Sequence, residues 1–479
     1  MSAIIVWFRK DLRLIDNPAL SFAARRLKPI LPLYIYEDLS EKDWPIGEAQ
    51  KWWLYHSLKA FKEKLDKLNL SLIIRKGHAL EIINNFVQDY SIEEVYWNRR
   101  YEPAEIKRDQ AIKSALKERG ITTKSFNGSL LFEPEDVKNN QKDYFKVFSA
   151  YWKNCLLFHK PRDIMPASSS AIPLARDVKS DSVESLRLLP DLEWAEGFHE
   201  IWCPGEDGAQ KRFKSFLNNR VLRYRSQRDF PGIEGTSKLS PHLHFGEISP
   251  HFIWHHIQKT YGGLSRYAED SHIETFLKEL GWREFCAYLL YHYPELPLKN
   301  FQRKFDNLQW SADMGHLSKW QRGLTGYPIV DAGMRQLWHW GWMHNRVRMI
   351  VASFLTKNLQ LDWRKGQRWF WDTLLDADMA NNAGGWQWVA GSGADAAPYF
   401  RVFNPVLQGE KFDPEGSYIK KWVPELQALP LKYIHQPWMA PKEILTNANV
   451  ILGDNYPSRI IDHNETRKST LEAYRCLSS

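Results

Sequence analysis

Residues 338–349 read WHWGWMHNRVRM, and residues 361–405 read LDWRKGQRWFWDTLLDADMANNAGGWQWVAGSGADAAPYFRVFNP. The apolar spacing is helical and strand-like runs are few, so this part of the chain is expected to be all-α. Packing alone does not account for the composition. Trp363, Trp386 and Trp388 share the stretch with Arg346, Arg348, Asp376 and Asp378. An unpaired charge among apolar side chains is costly, so these four are expected to pair or to hold a charged or polar ligand. Large oxidisable rings, carboxylates that can accept from a ribose or an Arg, and the neutral amide of Asn382 suit a redox-active ring cofactor. The alternative is a Trp-rich helical core whose polar residues are ordinary caps, and the residue types leave that choice open.

Moving outward, the pattern changes. Toward the N-terminus, AIIVWF (3–8), PILPLYIY (29–36), LSLIIRKG (70–77), EEVYWN (93–98) and the weaker TTKSF (122–126) have the length and β-rich composition of strands. Between them, 17–27, 47–68, 79–90 and 103–119 read as helices, with Pro18 and Pro103 near two helix starts. Strand alternating with helix implies a doubly wound parallel five-stranded α/β domain over residues 1–130. No GxGxxG follows the first strand, which excludes the usual dinucleotide fingerprint. Periodicity then fades. Residues 131–205, with PASSSAIPLARDVKSDS, read as an interdomain linker, and 206–479 as an all-α domain of amphipathic segments broken by Gly and Pro.

Composition sets looser bounds. The 479 residues suffice for about two to four domains. Four scattered cysteines with no CxxC argue against a disulfide framework or a closely spaced metal set, and fit a reducing cytoplasm. No signal peptide is visible, and no run approaches the roughly 18 uncharged apolar residues of a membrane span. The net charge of +8 favours polyanions only mildly.

Three further constellations stand out. In YRSQRDFPGIEGTSKLSPHLHFGEIS (224–249), Arg225, Arg228 and Lys238 surround Thr236, Ser237 and Ser240, and such hydroxyls and cations at a helix start can cradle a diphosphate. Glu279 and Trp282 share one helix face, with Arg283 beside both, so a Glu279–Arg283 helix pair is the plain structural reading. Asn345, Arg346 and Met349 share another face, with Arg348 at its edge. If helical, Trp386 and Trp388 lie about 200° apart and face different surroundings. The lone DxD of Asp376 and Asp378 is too weak to claim a metal, and none is expected.

These motifs, from VWFRKDLRLIDNPAL to FDPEGSYIKKWVPEL, resemble the DNA photolyase and cryptochrome family, most closely its class I cyclobutane pyrimidine dimer photolyases. The resemblance implies FAD, bound without a covalent link and active as its reduced anion. It would be held by Tyr224, Thr236, Ser237, Lys238, Leu239, Ser240, Arg283, Trp342, Arg348, Asp376, Asp378 and Asn382. All of these lie at or after Tyr224, so the helical domain and not the α/β domain is expected to hold the flavin. Carried over in the same way, Arg228, Glu279, Trp282, Asn345, Arg346, Met349 and Trp388 line the lesion site, and Trp310, Trp363 and Trp386 form the chain that reduces the flavin from the surface. Glu279 and Asn382 take the catalytic positions, the latter beside flavin N5. The implied activity is light-driven splitting of dimers in UV-damaged DNA by electron transfer from the excited flavin to a flipped-out lesion, by a monomer in the cytoplasm, associated with the nucleoid through DNA. Glu105 matches an acidic contact of a second, antenna chromophore of folate or deazaflavin type. The alternatives are a cryptochrome-type blue-light receptor without repair, or a (6-4) photolyase.

Overall fold

The computed structural model describes residues 2–37, 44–139, 141–167, 171–175, 178–190, 193–262, 271–396 and 401–477. Strands β1 (Ala3–Phe8), β2 (Pro29–Tyr36), β3 (Ile73–Lys76), β4 (Ile92–Asn98) and β5 (Thr122–Phe126) form a parallel sheet in the order β3-β2-β1-β4-β5. Every residue of β1 and β2 is buried. The reason is that helices cover both faces, which is also why these strands read as continuous apolar runs and not as alternating ones. Ile4, Val6 and Phe8 meet the Pro18–Ala24 and Glu48–Asp66 helices, while Ala3, Ile5 and Trp7 meet Ala79–Asp89 and Pro103–Glu118. Pro18 and Pro103 sit in the first turns of their helices, where a missing N–H costs nothing.

The stretch 131–205 is more structured than a bare linker. It contains the Phe148–Phe158 helix, which buries Phe148, Tyr151, Trp152 and Cys155, and a two-residue strand β6 (Ile172–Pro173) that pairs with Pro29 and Ile30 of β2. Phe198 and Trp202 pack on Trp52 and Trp53 of the Glu48–Asp66 helix. Residues 168–170 and 176–177 of PASSSAIPLARDVKSDS, and 397–400 of the later ADAAPYF run, lie outside the described residues.

Beyond residue 206 the described residues are helical, with only isolated bridges. The amphipathic run 333–359 is not one helix: Pro328–Trp340 stops at Gly341, Asn345–Ser353 follows, and a buried π-turn spans Phe354–Asn358. Gly341 has φ +62°, and a Cβ there would come within 2.8 Å of Leu375 and 2.9 Å of Phe198. The corner therefore needs glycine.

Buried charges lock the sheet domain onto the helices. Arg13 donates to the carbonyls of Gly246 (2.8 Å), Gly128 (2.6 Å) and Asp16 (2.7 Å). Asp16 accepts from Arg162 (3.0 Å), from the Met165 N–H (3.0 Å) and from the Ser249 hydroxyl. Glu206 accepts from the N–H groups of Leu14 (3.1 Å) and Ile15 (2.9 Å) and from Lys64 (2.9 Å). Glu247, fully buried, accepts at one oxygen from the Trp53 indole (2.9 Å) and the Gly205 N–H (2.7 Å), and its other oxygen meets His242. Glu247→Ala strands those donors and should cost about 3 kcal/mol, read as a lower denaturation midpoint. Glu247→Gln retains the shared acceptor oxygen and should lose about half as much or less. A wild-type midpoint in the alanine variant would contradict this account.

Candidate functional site

One cavity of about 630 Å³ lies where the helices converge, within the size range of small-molecule and cofactor sites. Tyr224, Arg228, Thr236, Ser237, Lys238, Leu239, Ser240, Glu279, Trp282, Arg283, Trp342, Asn345, Arg346, Arg348, Met349, Asp376, Asp378, Asn382, Trp386 and Trp388 all line it. Trp310 and Trp363 do not.

The first wall comes from the 236–240 loop and the chain that follows Leu374. Lys238, at φ +51°, donates to Glu234 (2.6 Å) and lies over the rings of Trp340 and Trp342; burial lowers its pKa. The Trp342 indole donates to the Ser240 hydroxyl (3.2 Å). Burial pushes the Tyr224 phenol up. Arg348 grips Asp376 through two parallel bonds of 3.1 and 2.8 Å. Asp378 instead caps the Met379–Ala390 helix, accepting from the Asn381 backbone (2.9 Å) and side chain (2.6 Å). The DxD pair is thus divided between an ion pair and a helix cap. Asn382 donates to the Gln367 carbonyl (2.9 Å), and the Trp386 indole N–H and the Gln367 side-chain oxygen are buried without partners.

The second wall comes from the His272–His292 and Asn345–Ser353 helices. Here the expected helix pair fails: Glu279 takes Arg228 as its ion-pair partner, while Arg283 donates to the Ser129 carbonyl (2.8 Å) and to Glu284 (3.1 Å). Arg228 lies closer to Glu279 in space than Arg283 does because the Tyr224–Gln227 turn packs on the His272–His292 helix. Arg346 pairs with Asp229 (2.9 Å), approaches the Met349 sulfur (3.7 Å) and covers the Phe412 ring. Trp282 stacks on Phe148, with centroids 3.9 Å apart and planes 11° from parallel. The Trp388 indole donates to the Asp395 carbonyl (3.2 Å), and the Asp395 carboxylate accepts from the Phe148 N–H (3.2 Å). One residue of the supposed linker therefore braces both tryptophans.

Trp386 and Trp388 do face different surroundings. Trp386 packs on Phe370 and Trp320, and its ring covers Gly366, where a Cβ would lie 2.1 Å from it. Gly366 belongs to the Trp363–Thr373 helix, whose Trp363 is fully buried and donates to Asn300 (2.9 Å). Ser311 N–H donates to the Gln360 carbonyl (2.7 Å), which sets the half-buried Trp310 beside the start of that helix. Glu105 lies away from the cavity, paired with Arg108 and 3.6 Å from Arg9.

Sequence reasoning missed part of the lining. Lys10, Arg100, Tyr101, Glu102, Ser129 and Leu130, all from the N-terminal part of the chain, close the cavity on the side of the sheet. The available signal was the charged RK and RRYE runs directly after β1 and β4.

The family model described as DNA photolyase matches residues 4–169, and the one described as the FAD binding domain of DNA photolyase matches residues 276–476. The deoxyribodipyrimidine photo-lyase of Agrobacterium fabrum is 48% identical over 475 residues, covering 98% of this chain and 97% of that protein. Cryptochrome-1 of Arabidopsis thaliana is 37% identical over 98% of this chain and 70% of its own length. The crystal structure of a bacterial class III photolyase from Agrobacterium tumefaciens superposes with a TM-score of 0.95 at 46% identity, over 100% of this chain and 98% of that one.

Glu284, 1% exposed behind Arg283, accepts from the Leu131 N–H at 2.7 Å. Burial pushes its pKa from 4.5 up to about 7 against the pull of Arg283. Because the fold favours the protonated form, this residue's contribution is complete below pH 4.5 and is lost as the pH rises through about 7. The loss should amount to roughly 3 kcal/mol. Denaturant unfolding at pH 5 and pH 8 should show a smaller drop for Glu284→Gln than for the wild type; equal drops would refute the assignment.

Proposed function

The chain belongs to the DNA photolyase and cryptochrome family, and from that premise we propose that it is a deoxyribodipyrimidine photolyase, which binds UV-damaged DNA and splits cyclobutane pyrimidine dimers in light. The observation that carries this reading is the single cavity, which joins a cofactor-like wall to a wall suited to flat, polar-edged bases. FAD fits the first wall. Thr236, Ser237 and Ser240 offer hydroxyls to its phosphates, and the Arg348–Asp376 pair and Asp378 offer charge and acceptors to its ribityl chain and ring. The unpartnered Trp386 N–H and Gln367 oxygen are further polar atoms in a buried place. Bound in reduced form, FAD supplies an electron donor that blue or near-UV light energises.

The chain's own residues do the rest. Trp282 and Trp388 present ring faces on which the two bases of a dimer can lie once it leaves the stack, as photolyases generally require. Glu279, held by Arg228, lines the wall where negative charge would build on the pyrimidine carbonyls, and it aims the spare N–H donors of Arg228 at that place. Arg346, fixed by Asp229, keeps further donors for a phosphate. Trp310, Trp363 and Trp386 form the surface-to-cavity route for reducing the cofactor. Within the family, the sequence motifs resemble class I enzymes, whereas the likeness to the Agrobacterium tumefaciens enzyme, a class III photolyase, supports the class III assignment that we favour. A second chromophore near Glu105, monomeric action and a cytoplasmic site of work complete the proposal.

The deciding experiment gives FAD-loaded protein an oligonucleotide containing one cyclobutane dimer. Repair should occur in blue light and not in the dark, and binding should weaken with salt while damaged duplex outcompetes undamaged. Absence of light-dependent repair would favour a receptor. Trp282→Ala should weaken lesion binding about 5- to 150-fold, the worth of about 1–3 kcal/mol of base stacking, with FAD content unchanged. Trp386→Phe should greatly slow photoreduction of oxidised flavin yet leave repair by pre-reduced enzyme intact; unaltered photoreduction would remove Trp386 from the route.

A further inference from the structure

The sheet order β3-β2-β1-β4-β5 reverses direction between β1 and β4. In doubly wound sheets, ligands bind beyond the carboxyl ends of the strands at such a reversal. In this chain the crevice is not at a free surface. Lys10, two residues past the end of β1, and Arg100, two residues past the end of β4, both line the cavity that also holds Arg283 and Asp378.

The neighbouring charges are already engaged. Arg100 pairs with Glu102, Arg283 with Glu284, and Asp378 caps its helix. The Lys10 ammonium has no hydrogen-bond or ion-pair partner among the described residues. Burial, and then the like charge of Arg100, pull its pKa down to about 8. Nearby His244 is itself held neutral by burial. Glu102, Asp378 and Glu105 are close enough to act on Lys10 electrostatically, but none is in direct contact with it, so the ammonium keeps its donors free for an anionic ligand that enters the cavity.

We propose that Lys10 and Arg100 form an anion subsite for the flavin at the switch point of the α/β sheet, so that both domains hold the cofactor. The inference rests on the flavin reading given above and departs from the expectation that every contact lies after Tyr224. FAD offers two anions to this subsite: the diphosphate, and the N1–C2=O edge of the reduced ring.

Lys10→Met keeps the aliphatic stem and removes the charge. In the full-length protein, the dissociation constant of oxidised FAD is measured by fluorescence, and the reduction potential by spectroelectrochemistry. If the diphosphate is the ligand, oxidised FAD should bind about ten- to hundredfold more weakly. If the reduced ring is the ligand, oxidised FAD should bind as in the wild type while the potential falls, by about 30 mV for each tenfold loss of the reduced form in a two-electron couple. Either outcome supports the subsite, and Lys10→Arg should restore the wild-type value. Wild-type affinity together with wild-type potential in Lys10→Met overturns it. Lys10→Gln, which keeps a donor without the charge, serves the same comparison if the methionine variant does not fold. A wild-type chain that takes up no FAD overturns the flavin reading itself, and the subsite with it.

Discussion

The buried charges at the seam between sheet and helices constrain everything else. Arg13, Asp16, Glu206 and Glu247 are removed from water, and each is tolerable only with its partners in place. Those partners come from distant parts of the chain: Gly128, Arg162, Gly205, Gly246 and Ser249. Hydrophobic contact alone would let the two halves slide against each other. A set of carboxylates and a guanidinium that must all be satisfied at once selects one docking, and that docking turns the carboxyl ends of β1 and β4 toward the helices. The cavity is a product of the seam, walled on one side by a sheet that a separate domain would have left exposed.

The stretch between the domains takes part in the same arrangement. Phe148 stacks on Trp282, and through Asp395 its backbone is tied to the carbonyl that receives the Trp388 indole. The spacing of these two tryptophans is therefore set by a helix that no local pattern links to the site. An aromatic stack of this kind is worth about 0.5–1.5 kcal/mol beyond the area it buries, enough to hold a ring in one rotamer while a ligand enters or leaves.

The legible parts of the fold were those with local causes. β1 and β2 are apolar along their whole length because both faces are covered, and Pro18 and Pro103 announce helix starts; all three signals act within a few residues. The cavity residues gathered from the helical half were legible through family motifs, and they do share one space. What was not legible depends on contacts far apart in sequence. Spacing rules see Glu279 and Arg283 on one helix but not Arg228, which arrives from a separate turn and takes the carboxylate. They give no hint that Phe148 reaches Trp282, or that Lys10 and Arg100 enter a cavity formed mainly by later residues. Those placements follow from strand order and from the seam, neither of which has a signature in a window of ten or twenty residues.

The charge pattern of the cavity bears on how it distinguishes ligands. Arg228 with Glu279, Arg346 with Asp229, Arg348 with Asp376 and Arg100 with Glu102 are each internally neutralised, so the site is not a bare basic pocket that would attract any polyanion. Pairing holds each guanidinium in a fixed orientation while leaving it N–H donors to spare, since a guanidinium carries five and a carboxylate uses two at most. A ligand then gains from donors already aimed, without the entropy cost of ordering a free arginine. The chain's +8 excess does not come from these four pairs and must be carried by groups elsewhere. There it can attract a nucleic-acid backbone at long range without specifying what enters the cavity. Attraction and recognition are thereby assigned to different residues, and Lys10, the one cavity cation without a hydrogen-bonded or ion-paired partner among the described residues, becomes the place where a ligand's own charge can make direct contact.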